Sequence, residues 1–220
     1  MDRSQREGAR VFTIDHVVMA VPDLDSAGDR LRRDHGLASV PGGVHPNWGT
    51  GNRIVPLGQS YIELMAVVDP AVGRDTVLGR AVLGLTADGR DRWFSVCLAD
   101  TDLSDTASRL GLDVDPGGRI CPDGSELRWS GAGIDDEARD AWLPFFIAWD
   151  MPPELHPGRT PILHDVDVTG IAGVEVAGDE ARLADWLGPA GDSVPLRVVA
   201  GRPRVRSVEL STSGGPTLRI

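Results

Sequence analysis

Three side chains in the first third of the chain are of types that do chemistry. Glu63 stands between Ile62 and Leu64 in the apolar run YIELMAV, and a carboxylate buried in such a strand is costly unless it is paired or protonated. It reads as a metal ligand, a general base or half of a structural ion pair, with Arg53 one strand away as partner in the last case. His16 lies inside FTIDHVVMAVPDL, where alternation groups it with Ile14, Val18 and Ala20 and sends Asp15 to the other face with Val17 and Met19. An imidazole on an apolar face needs a partner, and a backbone hydrogen bond is the plain alternative to a functional one. His45 opens VHPNWGTGN, whose Gly49 and Gly51 suit a tight turn and close ligand approach, with Asn52 as a turn cap or substrate contact. Trp48, in the same turn, is placed to stack on a planar ligand. Imidazole and carboxylate together suit a divalent metal such as zinc, iron, manganese or nickel, and His16, Glu63 and His45 would form a two-histidine, one-carboxylate set. His156 and His164 are reserves that read first as linker histidines, and His35 reads as a favourable charge at a helix C-terminus.

The elements that must hold these residues repeat along the chain. HVVMAVPDLDSAGDRLRRDHGL predicts a strand, a helix capped by Asp23 with Leu24, Ala27 and Leu31 on its apolar face, and a stop at Gly36. WFSVCLADTDLSDTASRLGL repeats the plan with Asp102 and Gly111, and IAGVEVAGDEARLADWLG offers a third start at Asp179. After the first helix come strands around Val40 to Val44, then GNRIVPLG and SYIELMAV; after the second, Leu112 to Val114, SELRWSG and WLPFFIAWD. The third offers VPLRVVA, VRSVELST and PTLRI. Short strands with single helices predict an α+β fold of tandem βαβββ modules at about 11–70 and 90–151, a linker at 152–164, and a partial third βαββ module at 165–220 packed on the first two.

The composition narrows the partners. Over 220 residues, 41% hydrophobic and 25% charged, the formal net charge is -11 with a pI near 4.8, and such a surface repels phosphate backbones, which speaks against nucleic acid. No apolar run approaches the roughly 18 residues of a membrane span, and the charged MDRSQREGAR start lacks the apolar core of a signal peptide and reads as a frayed tail. The expectation is a cytoplasmic protein without membrane partners. Cys97 and Cys121 have no metal-ligand spacing and read as free thiols. Arg197, Arg202, Arg204 and Arg206 form a local basic cluster, either a handle for an anionic substrate or charge that guards a sheet edge. No Walker loop, dinucleotide fingerprint, HExxH or nucleophile elbow occurs.

The order of modules, with IDHVVMAVPDL, HPNWGTGNRIV, YIELMAV, FFIAWDMPPELHPG and IAGVEVAG, resembles the vicinal oxygen chelate superfamily and, more closely, its glyoxalase-like domain family, from about Phe12 to the C-terminus. The resemblance implies a small-molecule cleft between paired modules, with metal ligands from the first and fourth strand of each. His16 and Glu63 match the module-one positions. Aligning Asp102 with Asp23 puts Ser95 opposite His16, and LPFFIAW, the counterpart of YIELMAV, has no carboxylate. Phe145, Phe146 and Trp149 would wall the cleft on that side. The resemblance implies metal-assisted isomerase or lyase chemistry next to a carbonyl, with Glu63 and His16 catalytic and His45, Trp48, Asn52 and Trp149 contacting substrate. Extradiol-type dioxygenase chemistry results if His45 completes an iron site. A non-catalytic protein that sequesters an antibiotic or metabolite is the alternative class, and a homodimer is the superfamily habit.

Overall fold

In the computed structural model of the chain, residues 11–136 and 139–220 are described; the N-terminal decapeptide, which reads as a tail, lies outside them. The first module runs β1 (Phe12–Ala20), α1 (Leu24–His35), β2 (Val40–His45), β3 (Thr50–Pro56) and β4 (Tyr61–Val67), and the short helices α2 (Pro70–Gly73) and α3 (Val77–Leu85) come next. The second runs β5 (Arg92–Asp100), α4 (Leu103–Leu110), β6 (Val114–Ile120), β7 (Glu126–Ala132) and β8 (Phe145–Trp149). Then come β9 (Val168–Ala177), α5 (Glu180–Leu187), β10 (Leu196–Val199), β11 (Arg204–Thr212) and the two-residue β12 (Leu218–Arg219).

The caps explain the helices. Asp23, Asp102 and Asp179 each accept a backbone N–H from the third residue on (Ser26, Asp105 and Arg182), and α1 and α4 stop at Gly36 and Gly111 in the left-handed conformation. One expectation needs correction, and one segment carried none. The strand expected at Leu112 to Val114 starts at Val114 and runs on to Ile120. The pattern of the chain assigns no element directly after β4, yet Asp69 caps α2 with Pro70 in its first turn and Thr76 caps α3.

Eight strands close into a barrel in the order β1-β4-β3-β2-β6-β7-β8-β5, and β10-β9-β11-β12 form a separate sheet. The first strands of the two modules, β1 and β5, pair antiparallel, and each pairs parallel with the fourth strand of its own module. The curl expected to leave a cleft therefore goes to closure, through a seam where β2 meets β6 at Val44 and Ile120. The α+β architecture of tandem βαβββ modules is as the sequence predicts. Among the described residues no helix is long and apolar enough to cross a membrane.

Two apolar layers share the barrel wall. Outside it, Phe12, Val17, Val96, Leu98 and Phe146 pack with the helices and with Val174, Leu183 and Val208 of the separate sheet and α5. Inside it are Val18, Met65, Phe94, Cys97, Trp129, Phe145 and Ile147. Phe146 thus does not wall the cleft: it stacks on Trp186 and meets Phe12, because adjacent strand residues point to opposite faces. Trp186 donates its indole N–H to the carbonyl of Pro144, tying α5 to the barrel. In the basic cluster, Arg197 and Arg206, together with Arg219, converge on the Glu175 carboxylate.

The seam rests on Gly43, which has φ +147° and would place a Cβ 2.0 Å from the Ile120 carbonyl oxygen. A Gly43→Ala variant should lose about 2 kcal/mol or more of unfolding free energy, measured by urea denaturation with tryptophan fluorescence as the readout.

Candidate functional site

The geometry of β1 departs from simple alternation. Ile14 pairs with Leu98 and His16 with Cys97, so Asp15 is an extra residue in the ladder, a one-residue bulge. The bulge turns Asp15 to the same side as His16 instead of sending it outward, which corrects the face assigned from the pattern. Asp15 is 3% exposed and its two oxygens accept three ring N–H groups. His16 Nδ1 lies 2.6 Å from Oδ1, and Trp149 Nε1 and His156 Nε2 lie 2.8 and 3.1 Å from Oδ2. His156 Nδ1 accepts the N–H of Gly158, so its Nε2 bears the proton given to Asp15. Burial alone would raise the Asp15 pKa, but the hydrogen bonds from His156 and His16 and their charge outweigh it and hold the carboxyl well below its usual range.

With Nδ1 held by Asp15, His16 presents Nε2 to Glu63 Oε2 at 3.4 Å. Tyr61, which pairs with His16 across the parallel β1–β4 ladder, stacks on its ring at 4.5 Å. Glu63, 5% exposed, is fixed on its other oxygen by the Asn52 amide at 2.6 Å, and His45 Nε2 stands 3.9 Å from that oxygen. The β2–β3 hairpin places these last two: His45 pairs with Thr50, whose hydroxyl meets Nδ1 at 3.0 Å, and Asn52 shares its face of β3 with Thr50. Arg53 pairs with Asp25 and Ser39, so it is not the partner of Glu63 that the sequence offered; the groups within ion-pair distance of Glu63 are His16 and His45.

The structure brings His16, Glu63, His45 and Asn52 into one group, with Trp48 in the adjoining wall. Trp149 and His156 stand behind His16, on Asp15. His164 is elsewhere, bridging the Ala38 N–H and the Pro56 carbonyl. His16, His45, Trp48 and Glu63 border a barrel cavity of about 30 Å³ whose other walls are Val18, Met65, Leu78, Phe94, Trp129, Ile134, Phe145, Ile147 and Arg139. A groove of about 530 Å³ on the outer surface, near Arg53 and Cys121, is larger but gathers no such set of groups. Four neighbours of this group carry little or no signal in the sequence. Asp15 is hidden by the bulge, Leu78 by the unassigned α3, and Trp129 by being one of six tryptophans. Arg139 lies in the loop before β8; an arginine in a loop gives no periodic signal.

The donor set bears on the divalent metal that the family resemblance implies. Asp15 takes Nδ1 of His16 and Thr50 takes Nδ1 of His45, so both rings turn Nε2 towards the Glu63 carboxylate, the arrangement in which an outer partner orients a ligating imidazole. Burial lowers the His45 pKa to about 4 against the raising effect of Glu63, which keeps the ring neutral as a ligand must be. These three residues have the donor chemistry for a divalent ion in the first module, although their ligand atoms do not all lie within 4.8 Å of one another. Ser95 and Phe145 on the second add no donor, since Ser95 meets Arg139 and Phe145 has no polar atom. Among the described residues, the group whose ligand atoms do lie within 4.8 Å of one another is Asp15, His16 and Cys97. There burial pushes the Cys97 thiol up and Asp15 is already engaged threefold, which is the chemistry of a hydrogen-bonded support.

The neutral buried state of His45 makes stability depend on pH. Its folded pKa lies below its unfolded value, so the unfolded chain takes up the proton first as pH falls, and stability present above pH 6.5 is lost towards pH 4. In chelator-treated protein the unfolding free energy should fall by roughly 3 kcal/mol more in wild type than in His45→Gln across that window, as read from urea curves at several pH values.

The family described as glyoxalase-like domain matches residues 14–190. No curated protein matches the chain. Among solved structures, a hypothetical protein from Staphylococcus aureus is 16% identical, with 93% of each chain covered and a TM-score of 0.71, which shows a shared fold. A methylmalonyl-CoA epimerase from Mycobacterium tuberculosis is 20% identical over 61% of this chain and 85% of that one, with a TM-score of 0.42. One from Streptomyces coelicolor, in complex with 2-nitronate-propionyl-CoA, is 21% identical over 63% and 97%, also at 0.42. The family match spans most of the chain, and with the tandem βαβββ barrel it places this protein in the glyoxalase-like domain family of the vicinal oxygen chelate superfamily.

Proposed function

We propose that the barrel cavity binds a small molecule and moves a proton next to its carbonyl group, as an isomerase or lyase does, with Glu63 as the proton-transferring base. The observation that carries this reading is the Glu63 carboxylate, buried, oriented by Asn52 and facing two imidazoles in a chamber whose remaining walls are apolar apart from Arg139. A buried carboxylate used only for packing would be replaced at a gain by an apolar residue. One used as a base needs this fixed direction and low water content. His16 would hold or return a proton through Nε2 while Asp15 keeps the ring in place. Trp48, Trp129, Phe94 and Phe145 would exclude water from the reacting carbon.

His16, Glu63 and His45 would hold a divalent metal of the zinc, iron, manganese or nickel type, which when bound supplies a Lewis acid for the carbonyl oxygen. The second reading, a protein that sequesters its ligand without turnover, draws support from Ser95 and Phe145 at the module-two positions.

Exchange of α-hydrogens in D₂O, monitored by mass spectrometry over a panel of aldehydes, ketones and 2-oxo acids, separates the two. The proposal expects exchange into at least one compound, reduced about 100-fold or more in Glu63→Gln, with the circular dichroism spectrum unchanged. Tight ligand binding that is the same in both proteins, with no exchange in either, would favour sequestration. In parallel, elemental analysis of untagged protein should find a divalent metal that His16→Ala loses.

A further inference from the structure

The second module lacks ligands where the first has them, and a guanidinium stands there instead. β3 and β4 are joined by the short turn at 57–60, whereas β7 and β8 are joined by the longer loop at 133–144. That loop is anchored by the buried Trp142 and Leu143 and is tied to α3, where the Asp135 carboxylate accepts the Leu78 N–H at 2.6 Å. It delivers Arg139 into the cavity wall, 8% exposed. Nη1 donates to the Leu143 carbonyl at 2.6 Å and to Ser95 Oγ at 3.2 Å, and Nε donates to the Gly133 carbonyl. Gly133 is required for this seat, since it has φ +78° and a Cβ there would come 3.0 Å from Arg139 Cδ.

These bonds orient the group but do not neutralise it. Arg139 makes no ion pair with any described carboxylate, and the nearby Asp140 is engaged by Arg182 at 2.7 Å. Burial lowers its pKa only to about 10, so it stays charged at neutral pH. A charge taken out of water with only the more distant Asp136 and Asp140 carboxylates to favour it carries a standing cost. A neutral donor could clamp the same carbonyls. On the cavity side the guanidinium carbon stands 5.6 Å from the centroid of the Phe145 ring, and the His16 ring meets the same centroid at 5.6 Å. His16, Glu63, Arg139 and Phe145 all line the same cavity, so a molecule bound in it borders both poles.

We infer that Arg139 is the anion-binding pole of the barrel cavity, and that the molecules bound there are small organic acids whose carboxylate pairs with Arg139 while their reactive carbon faces His16 and Glu63. Planar guanidinium and carboxylate are matched in shape as well as charge. The inference rests on the cavity being the substrate site, but not on turnover.

The test is calorimetric titration of the whole protein with formate, acetate, propionate, butyrate and pyruvate, each beside its neutral amide. Wild type should bind at least one acid ten-fold or more tightly than its amide, and Arg139→Gln should lose that preference while keeping any weak affinity for the amide. Should the variant fail to fold, ¹⁵N-arginine spectra of wild type serve instead, with the Arg139 Nε resonance moving on saturation with the preferred acid. Equal binding of acids and amides by wild type, an unmoved Arg139 resonance, or undiminished acid binding by a folded Arg139→Gln would overturn the inference and leave Arg139 as a loop clamp. Acid binding that depends on Arg139 without any α-hydrogen exchange upholds the inference and fails the proton-transfer reading. Exchange on neutral carbonyls alone, with no preference for acids, does the reverse.

Discussion

A carboxylate survives burial only where donors replace the water it gives up, and Asp15 gathers three, one from each part of the chain that must meet at the end of the barrel. His16 belongs to the same strand, Trp149 to the last strand of the second module, and His156 to the segment after it. The bulge in β1 makes this possible by putting two consecutive side chains on one side. Its consequence is directional. With Nδ1 engaged, the imidazole of His16 has one nitrogen left, and that nitrogen faces Glu63. The orientation of the proposed site thus depends on a residue that does not line the cavity.

The barrel is built of two similar modules but divides its chemistry unequally. The first supplies the carboxylate, both imidazoles and the amide; the second supplies aromatic rings and a guanidinium. Since β1 and β5 pair through the pseudo-symmetric centre, the two halves face each other across the same small space. A symmetric site with ligands on both modules would centre its charge on an ion. Here the anionic and cationic groups come from different modules, which suits a molecule that is itself polarised. The apolar lining between them raises the effective strength of each interaction by keeping water out.

Much of the fold was legible because its signals are local. Asp23, Asp102 and Asp179 start helices by bonding N–H groups three residues on, so their spacing is written in the chain, and the Gly-rich HPNWGTGN hairpin is equally self-contained. Glu63 and His16 were conspicuous as polar residues in apolar strands, and His45 as the residue that opens the Gly-rich turn. What stayed hidden depends on pairing between distant strands. No pattern within FTIDHVVMA reveals that Asp15 is skipped, because the bulge exists only against β5. In LPFFIAW, two adjacent phenylalanines look alike until register sends Phe145 inward and Phe146 outward. Arg139 sits in an acidic loop where an arginine looks like solvent-facing charge, and only the fold shows it buried. The α2–α3 segment could have been found, since Asp69, Pro70 and Thr76 are ordinary start signals.

The central claim is that a buried, ionised Asp15 holds the proton of His16 on Nδ1. Long-range ¹H–¹⁵N correlation of the histidine rings at neutral pH tests it directly, with Asp15→Asn as the reference. The account predicts a protonated, slowly exchanging Nδ1 on His16 whose downfield proton is lost or moved strongly in the variant. An unprotonated Nδ1 on His16 in wild type, or a spectrum indifferent to the variant, would contradict it and remove the support on which the orientation towards Glu63 rests.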